Sequence, residues 1–150
     1  MSNPNKTIIR SKALDLLANR EHTKLELQRK LSVKGFAALE IDEVIEELAQ
    51  QGLQSNQRFL ESYVNMRANR GFGPVRIKQE LHERGISKEL IGRSNVFASI
   101  DWQNLVQKVR VKKFGHVVAN NFQDKSKQMR YLTYKGFDFE LINFDLHPSI

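Results

Sequence analysis

The feature that most limits how this chain can fold is a pattern that occurs three times. Leu31-x-x-x-Gly35-Phe36, Leu81-x-x-x-Gly85-Ile86 and Leu132-x-x-x-Gly136-Phe137 share it, with the leucines 50 and 51 residues apart. A basic residue precedes each glycine: Lys34, Arg84 or Lys135. Downstream, Glu43-Val44-Ile45, Glu89-Leu90-Ile91 and Glu140-Leu141-Ile142 recur, with four extra residues after Gly35. Eight residues before each leucine stand Thr23, Gly73 and Asp124, all of N-cap type. Thr23-Lys24-Leu25-Glu26 is a capping-box sequence, and Arg20 and Arg70 end the preceding helices. One copy of such a pattern is ordinary helix-end chemistry. Three copies at near-equal intervals, with matched caps and a matched follow-on, define a repeat.

The repeat has a direct physical reading. A capped helix carries Leu31, Leu81 or Leu132 into a core and stops at a glycine able to take positive φ. A cation in the last turn suits the helix dipole. The apolar residue after the glycine packs back, and a third helix follows, started by Ser87 or Asp138 in the second and third copies. Apolar residues elsewhere keep the same period. Ile9, Ala13, Leu16 and Leu17 show it, as do Ile41, Val44, Ile45, Leu48 and Ala49, and again Trp102, Leu105, Val106 and Val109. No convincing strand period occurs. Of three prolines, Pro4 and Pro148 lie near the ends, and Pro74 follows Gly71-Phe72-Gly73 as the first residue of a new helix. The sequence therefore predicts an all-α chain of three tandem three-helix repeats, 1–55, 56–100 and 101–150. Units of about 50 residues bury too little surface alone, so they are expected to stack and share cores in an elongated helical solenoid.

Charge narrows the partners. The 150 residues carry a formal charge of +7 and no cysteine, which excludes disulfides, thiolate metal sites and cysteine nucleophiles. Residues 1–57 hold 8 basic and 8 acidic side chains, residues 58–101 hold 8 and 5, and residues 102–150 hold 8 and 4. The excess lies wholly in the last two thirds, which favours an anionic partner. No apolar run is long enough for a membrane span, and Met1-Ser2-Asn3-Pro4-Asn5-Lys6 shows no signal region, so a cytoplasmic protein is expected. His22, His82, His116 and His147 lack metal-binding spacing. Gly71-Phe72-Gly73-Pro74 is a helix-linking turn, not a phosphate cradle. Neither a catalytic group nor a cofactor is expected.

The candidate binding residues are basic and aromatic. Arg67, Arg70, Arg76 and Lys78 flank the central turn, with Phe72 at its tip. Lys108, Arg110, Lys112 and Lys113 stud the seventh helix, and Lys125, Lys127, Arg130 and Lys135 line the eighth beside Tyr131 and Tyr134. Such side chains can track a phosphate backbone or an acidic groove, with the aromatic residues as candidate contacts. Helix-turn-helix binding to duplex DNA stays open. The helices entered by Thr23, Gly73 and Asp124 nevertheless share no obvious base-reading set.

A family resemblance gives these residues a context. The segment Tyr63-Val64-Asn65-Met66-Arg67-Ala68-Asn69-Arg70-Gly71-Phe72-Gly73-Pro74-Val75-Arg76-Ile77-Lys78-Gln79-Glu80-Leu81, with Arg84-Gly85-Ile86, resembles the bacterial RecX family. So does Arg130-Tyr131-Leu132-Thr133-Tyr134-Lys135-Gly136-Phe137, and the resemblance runs over residues 7–146. It implies a curved array of three three-helix repeats and a monomer without catalytic residues. It also implies a regulator of the recombinase RecA in DNA recombination, repair and the SOS response. Such a protein lodges in the groove of the RecA–DNA filament, limits its extension and depresses strand exchange and ATP hydrolysis; weak binding to free single- or double-stranded DNA fits the same surface. The extra residues His116–Gln123 before Asp124 depart from the pattern, which puts any groove contact there in doubt.

Overall fold

In a computed structural model, residues 3–117 and 119–147 are described. Met1 and Ser2 of the segment read for a signal, Val118 in the third-repeat insertion and Pro148 lie outside them. The described residues form helices and no strands, in three successive triplets. The first is α1 (Pro4–Asn19), α2 (Lys24–Ser32) and α3 (Ala38–Gln50). The second is α4 (Asn56–Asn69), α5 (Pro74–Glu83) and α6 (Lys88–Arg93), and the third is α7 (Trp102–Phe114), α8 (Phe122–Lys135) and α9 (Phe139–Leu146). Among the described residues no helix is long and apolar enough to cross a membrane.

The repeated leucines and glycines do what their pattern implies. Leu31, Leu81 and Leu132 are fully buried, a burial that contributes about 2 kcal/mol for each leucine. Gly35, Gly85 and Gly136 have φ of +89°, +88° and +104°, the left-handed turn that ends each second helix. Ile86 and Phe137 pack back with 1% and 2% exposure, their amides bonded to the carbonyls of Leu81 and Leu132. Thr23 makes a full capping box with Glu26, and Ser87 and Asp138 accept from the amides of Leu90 and Leu141. One detail differs from the sequence reading. The cap of α8 is Asn121, which accepts from the Asp124 amide; Asp124 lies inside the first turn. Phe122 and Gln123 of the insertion are therefore helical. The four extra residues after Gly35 lie within a helix, since Ala38, Lys88 and Phe139 each start a helix three residues after the glycine. They are one added turn of α3, close to the 3.6 residues that return a helix to the same face.

The chain divides into two compact units, Met1–Ser62 with Leu81–Arg93, and Tyr63–Glu80 with Ser94–Ile150. In the first, Ile9, Ala13, Leu27, Leu31, Ile41, Val44, Ile45 and Leu48 form the buried cluster of α1, α2 and α3. The C-terminal turn of α5 joins it: the Thr23 hydroxyl donates to the Arg84 carbonyl at 2.7 Å. A Cβ on Gly85 would stand 2.6 Å from that of Leu25. In the second, Val106, Leu132, Phe137, Ile142 and Leu146 form the cluster of α7, α8 and α9. Here the amide of Gly73 donates to Lys135 at 2.8 Å and that of Val75 to Gly136 at 2.9 Å. A Cβ on Gly73 would collide with the Gly136 carbonyl, and one on Gly136 with Arg76. In both units, then, the start of one repeat's second helix sits on the glycine end of the next repeat's second helix. The carbonyls left over at the helix end accept from the Thr23 hydroxyl in the first unit and from the Gly73 and Val75 amides in the second.

Gly35 has the same positive φ but nothing within 4 Å of an added Cβ. Replacing it by Ala should cost about 1 kcal/mol from backbone strain alone, whereas Gly136→Ala should cost about 3 kcal/mol because packing is lost as well. Urea unfolding of the two variants measures both, and equal losses would show that the docking contributes nothing.

Candidate functional site

The second unit carries a groove of about 420 Å³ lined by Asn69, Arg70, Gly71, Leu105, Lys108, Val109, Lys112, Lys113, Tyr131 and Lys135. Its long wall is one stripe of α7. Positions 105, 108, 109, 112 and 113 fall at i, i+3, i+4, i+7 and i+8, so they share a face. Half-buried Leu105 and Val109 form the apolar part of the stripe, and Lys108, Lys112 and Lys113 expose their ammonium groups. The α4–α5 turn closes the groove: Gly71, at φ +87°, brings its Cα so close that an added Cβ would lie 3.2 Å from Val109. Tyr131 stands edge-on to Phe114 at 5.5 Å, with the Lys113 ammonium 5.3 Å from its ring centre. Five cations line the groove and no carboxylate does. Among the described residues none of the five has a carboxylate within ion-pair distance.

Beside it, three cations converge on Phe72. The Arg67 guanidinium lies 3.7 Å, the Lys135 ammonium 4.0 Å and the Arg76 guanidinium 4.5 Å from the ring centre. Each such contact is attractive through the ring quadrupole, but three positive charges repel one another. Glu80 supplies the counter-charge, accepting two bonds from Arg67 at 2.9 and 2.8 Å and one from the Tyr63 hydroxyl at 3.1 Å. Burial alone would push the Glu80 carboxyl up, but the bonds and charge of Arg67, with Tyr63 and Arg76, outweigh it and hold it below the usual range. Lys135 moves the other way. Burial and the charges of Arg76, Arg67 and Lys112 place its ammonium below the ordinary lysine value.

Arg70, Lys108, Lys112, Lys113, Lys135 and Tyr131 of the sequence-derived set thus meet in one groove. Arg67, Arg76 and Phe72 form the adjoining cluster, and Tyr134 lies exposed with Arg76 5.0 Å from its ring. Lys78 instead stands 5.0 Å from the ring of Phe97, at a separate recess with Pro74, Trp102, Leu141 and Phe144. Lys125, Lys127 and Arg130 lie on α8 outside the groove lining. Arg110 requires a correction. It is 3% exposed and ion-paired with the equally buried Asp145 of α9, because its position on α7 points into the third repeat. Sequence reasoning also missed the groove's apolar floor and the role of Glu80. The floor was visible as Leu105 and Val109 in the stripe of the basic residues. Glu80 left only the i,i+4 spacing from Arg76 as a trace, since Arg67 and Tyr63, which bond it most closely, lie 13 and 17 residues away.

Three family models match the chain, described as the first, second and third three-helix domains of RecX, over residues 10–48, 55–93 and 100–144. The chain belongs to the RecX family. The Regulatory protein RecX of Pseudomonas savastanoi pv. phaseolicola is 38% identical over 134 residues, covering 89% of this chain and 86% of the relative. That of Ectopseudomonas mendocina is 37% identical over 138 residues, covering 92% of each. The crystal structure of RecX from Lactobacillus salivarius superposes with a TM-score of 0.79 over 95% of this chain and 94% of that one, at 21% identity, a likeness of fold. Both relatives are named as regulatory proteins.

Two predictions separate structural from surface cations. Arg110→Ala leaves Asp145 buried without its partner and should cost about 3–5 kcal/mol, while Lys108→Ala or Lys112→Ala should change stability by less than about 0.5 kcal/mol. Thermal unfolding decides, and an Arg110 variant as stable as the lysine variants would refute the assignment. Glu80→Gln should cost about 1–2 kcal/mol at neutral pH. Because its folded pKa is depressed, the carboxylate's contribution is complete above its unfolded value and disappears as pH falls through the folded one. The gap between Glu80→Gln and the unaltered protein should therefore close at acid pH in urea titrations; a gap constant with pH would contradict the ion-pair account.

Proposed function

We propose that this chain regulates the RecA recombinase by binding the RecA–DNA filament, with the cationic groove of α7, α8 and the α4–α5 turn directed at the phosphate backbone or at acidic filament surface. Family membership supports a regulatory role, and the observation that carries the binding mode is the groove's five cations unopposed by any lining carboxylate. A protein held this way can bridge neighbouring filament subunits and stop addition at the growing end without chemistry of its own. That would depress strand exchange and ATP hydrolysis by limiting the active filament. The proposed actor is a cytoplasmic monomer needing no cofactor, with weak affinity for free DNA from the same cations.

Direct reading of duplex DNA has less support. A recognition helix presents its N-terminal residues to the base edges. The N-terminal amides and side chains at the start of α2 and α5 are instead engaged by Arg84, Lys135 and Gly136.

Added to RecA on single-stranded DNA, the purified protein should lower ATP hydrolysis at substoichiometric ratios; no change at any ratio would sink the proposal. Reversing Arg70, Lys108, Lys112 and Lys113 to Glu should weaken the inhibition by at least about tenfold and flatten its salt dependence. Reversing Lys127 and Arg130, outside the groove, should have a smaller effect. Inhibition unchanged by the fourfold reversal would remove the groove from the mechanism.

A further inference from the structure

We propose that Lys135 is an acylation site, the groove capturing a small acyl phosphate by its phosphoryl group and presenting the acyl carbon to the Lys135 Nζ. The groove is a built anion receptor: Arg70, Lys108, Lys112 and Lys113 ring a cleft of about 420 Å³ without a carboxylate in its lining. Lys135 is the half-buried member, in contrast to the exposed lysines of α7. Its ammonium faces Phe72 at 4.0 Å. Arg67 of α4, Arg70 of the α4–α5 turn, Arg76 of α5 and Lys112 of α7 surround it, and Glu80, the nearby carboxylate, is engaged by Arg67. Burial, with the charges of Arg76, Arg67 and Lys112, lowers the Lys135 ammonium's pKa and so raises the share of neutral amine, the form that attacks a carbonyl.

The step balances without a further reagent. The Nζ lone pair forms a bond to the acyl carbon, and the bond from that carbon to the phosphate oxygen breaks with its electrons on the oxygen. The nitrogen loses one proton to water, leaving an uncharged amide and inorganic phosphate. Acylation removes one of the groove's five charges and ends the ammonium contact with Phe72. It would therefore weaken whatever anion the groove serves. Its link to RecA rests on the reading above, but the acylation itself does not.

The test needs no RecA. The full chain is incubated with acetyl phosphate and, separately, with an uncharged acetylating ester, and modification at each lysine is followed by mass spectrometry. Lys135 should react with acetyl phosphate about tenfold faster than exposed Lys34, Lys88 and Lys127. Lys108→Gln with Lys113→Gln should remove most of that advantage for acetyl phosphate and leave the ester reaction at Lys135 unchanged; circular dichroism confirms that the variant is folded. A Lys135 no faster than the three exposed lysines would overturn the proposal. So would an advantage that survives the double substitution, because capture by the groove would then play no part.

Discussion

The repeat register depends on a docking contact in which the missing side chain of a glycine is the essential element. In one unit the start of α2 meets the end of α5 at Thr23, Leu25, Arg84 and Gly85. In the other the start of α5 meets the end of α8 at Gly73, Lys135 and Gly136. A helix start has amides to satisfy and a helix end has carbonyls. At Gly73 and Val75 joining them resolves both deficits, and at α2 the Thr23 hydroxyl serves as the donor; each contact needs an approach closer than a Cβ on the glycine permits. The sequence pattern of a cap residue eight positions before a leucine and a glycine four positions after it is therefore one contact seen from its two sides.

That contact also shapes the candidate site. Docking of Gly73 and Val75 on Lys135 and Gly136 fixes the α4–α5 turn against α8. This brings Phe72 and Arg76 to Lys135, and Gly71 to Val109. Cations from three helices and a turn then share one small region, held by a single aromatic ring and one carboxylate. Their mutual repulsion is tolerated because Glu80 is itself half-buried and bonded by Arg67 and Tyr63. The groove's remaining cations are the charges that Glu80 leaves unopposed.

Much of this was legible in the residues. The three glycines and leucines, the capping box at Thr23 and the helix starts at Ser87 and Asp138 are local signals, set by a few neighbouring residues, and they hold in the structure. The start of α8 was misplaced by one turn because Asn121 and Asp124 are both good caps, and only the backbone shows which one stands outside the helix. Among the cations, residue type could not tell Arg110 from Lys108 or Lys112. The difference is made by Asp145, 35 residues along the chain, which draws one guanidinium into the core. The groove itself was half visible, as an α7 stripe mixing apolar and basic residues; the turn that closes it belongs to tertiary structure.

The cap of α8 sets the third repeat apart. The starts of α2 and α5 contact the glycine end of the next repeat's second helix, whereas that of α8 is held by Asn121, which bonds both the amide and the carboxylate of Asp124. At the other end, Gly35 keeps the geometry of a socket with nothing seated in it. Gly35 therefore ends α2 by the same local turn as Gly85 and Gly136, and its glycine is required by backbone conformation alone and not by close approach of a second helix.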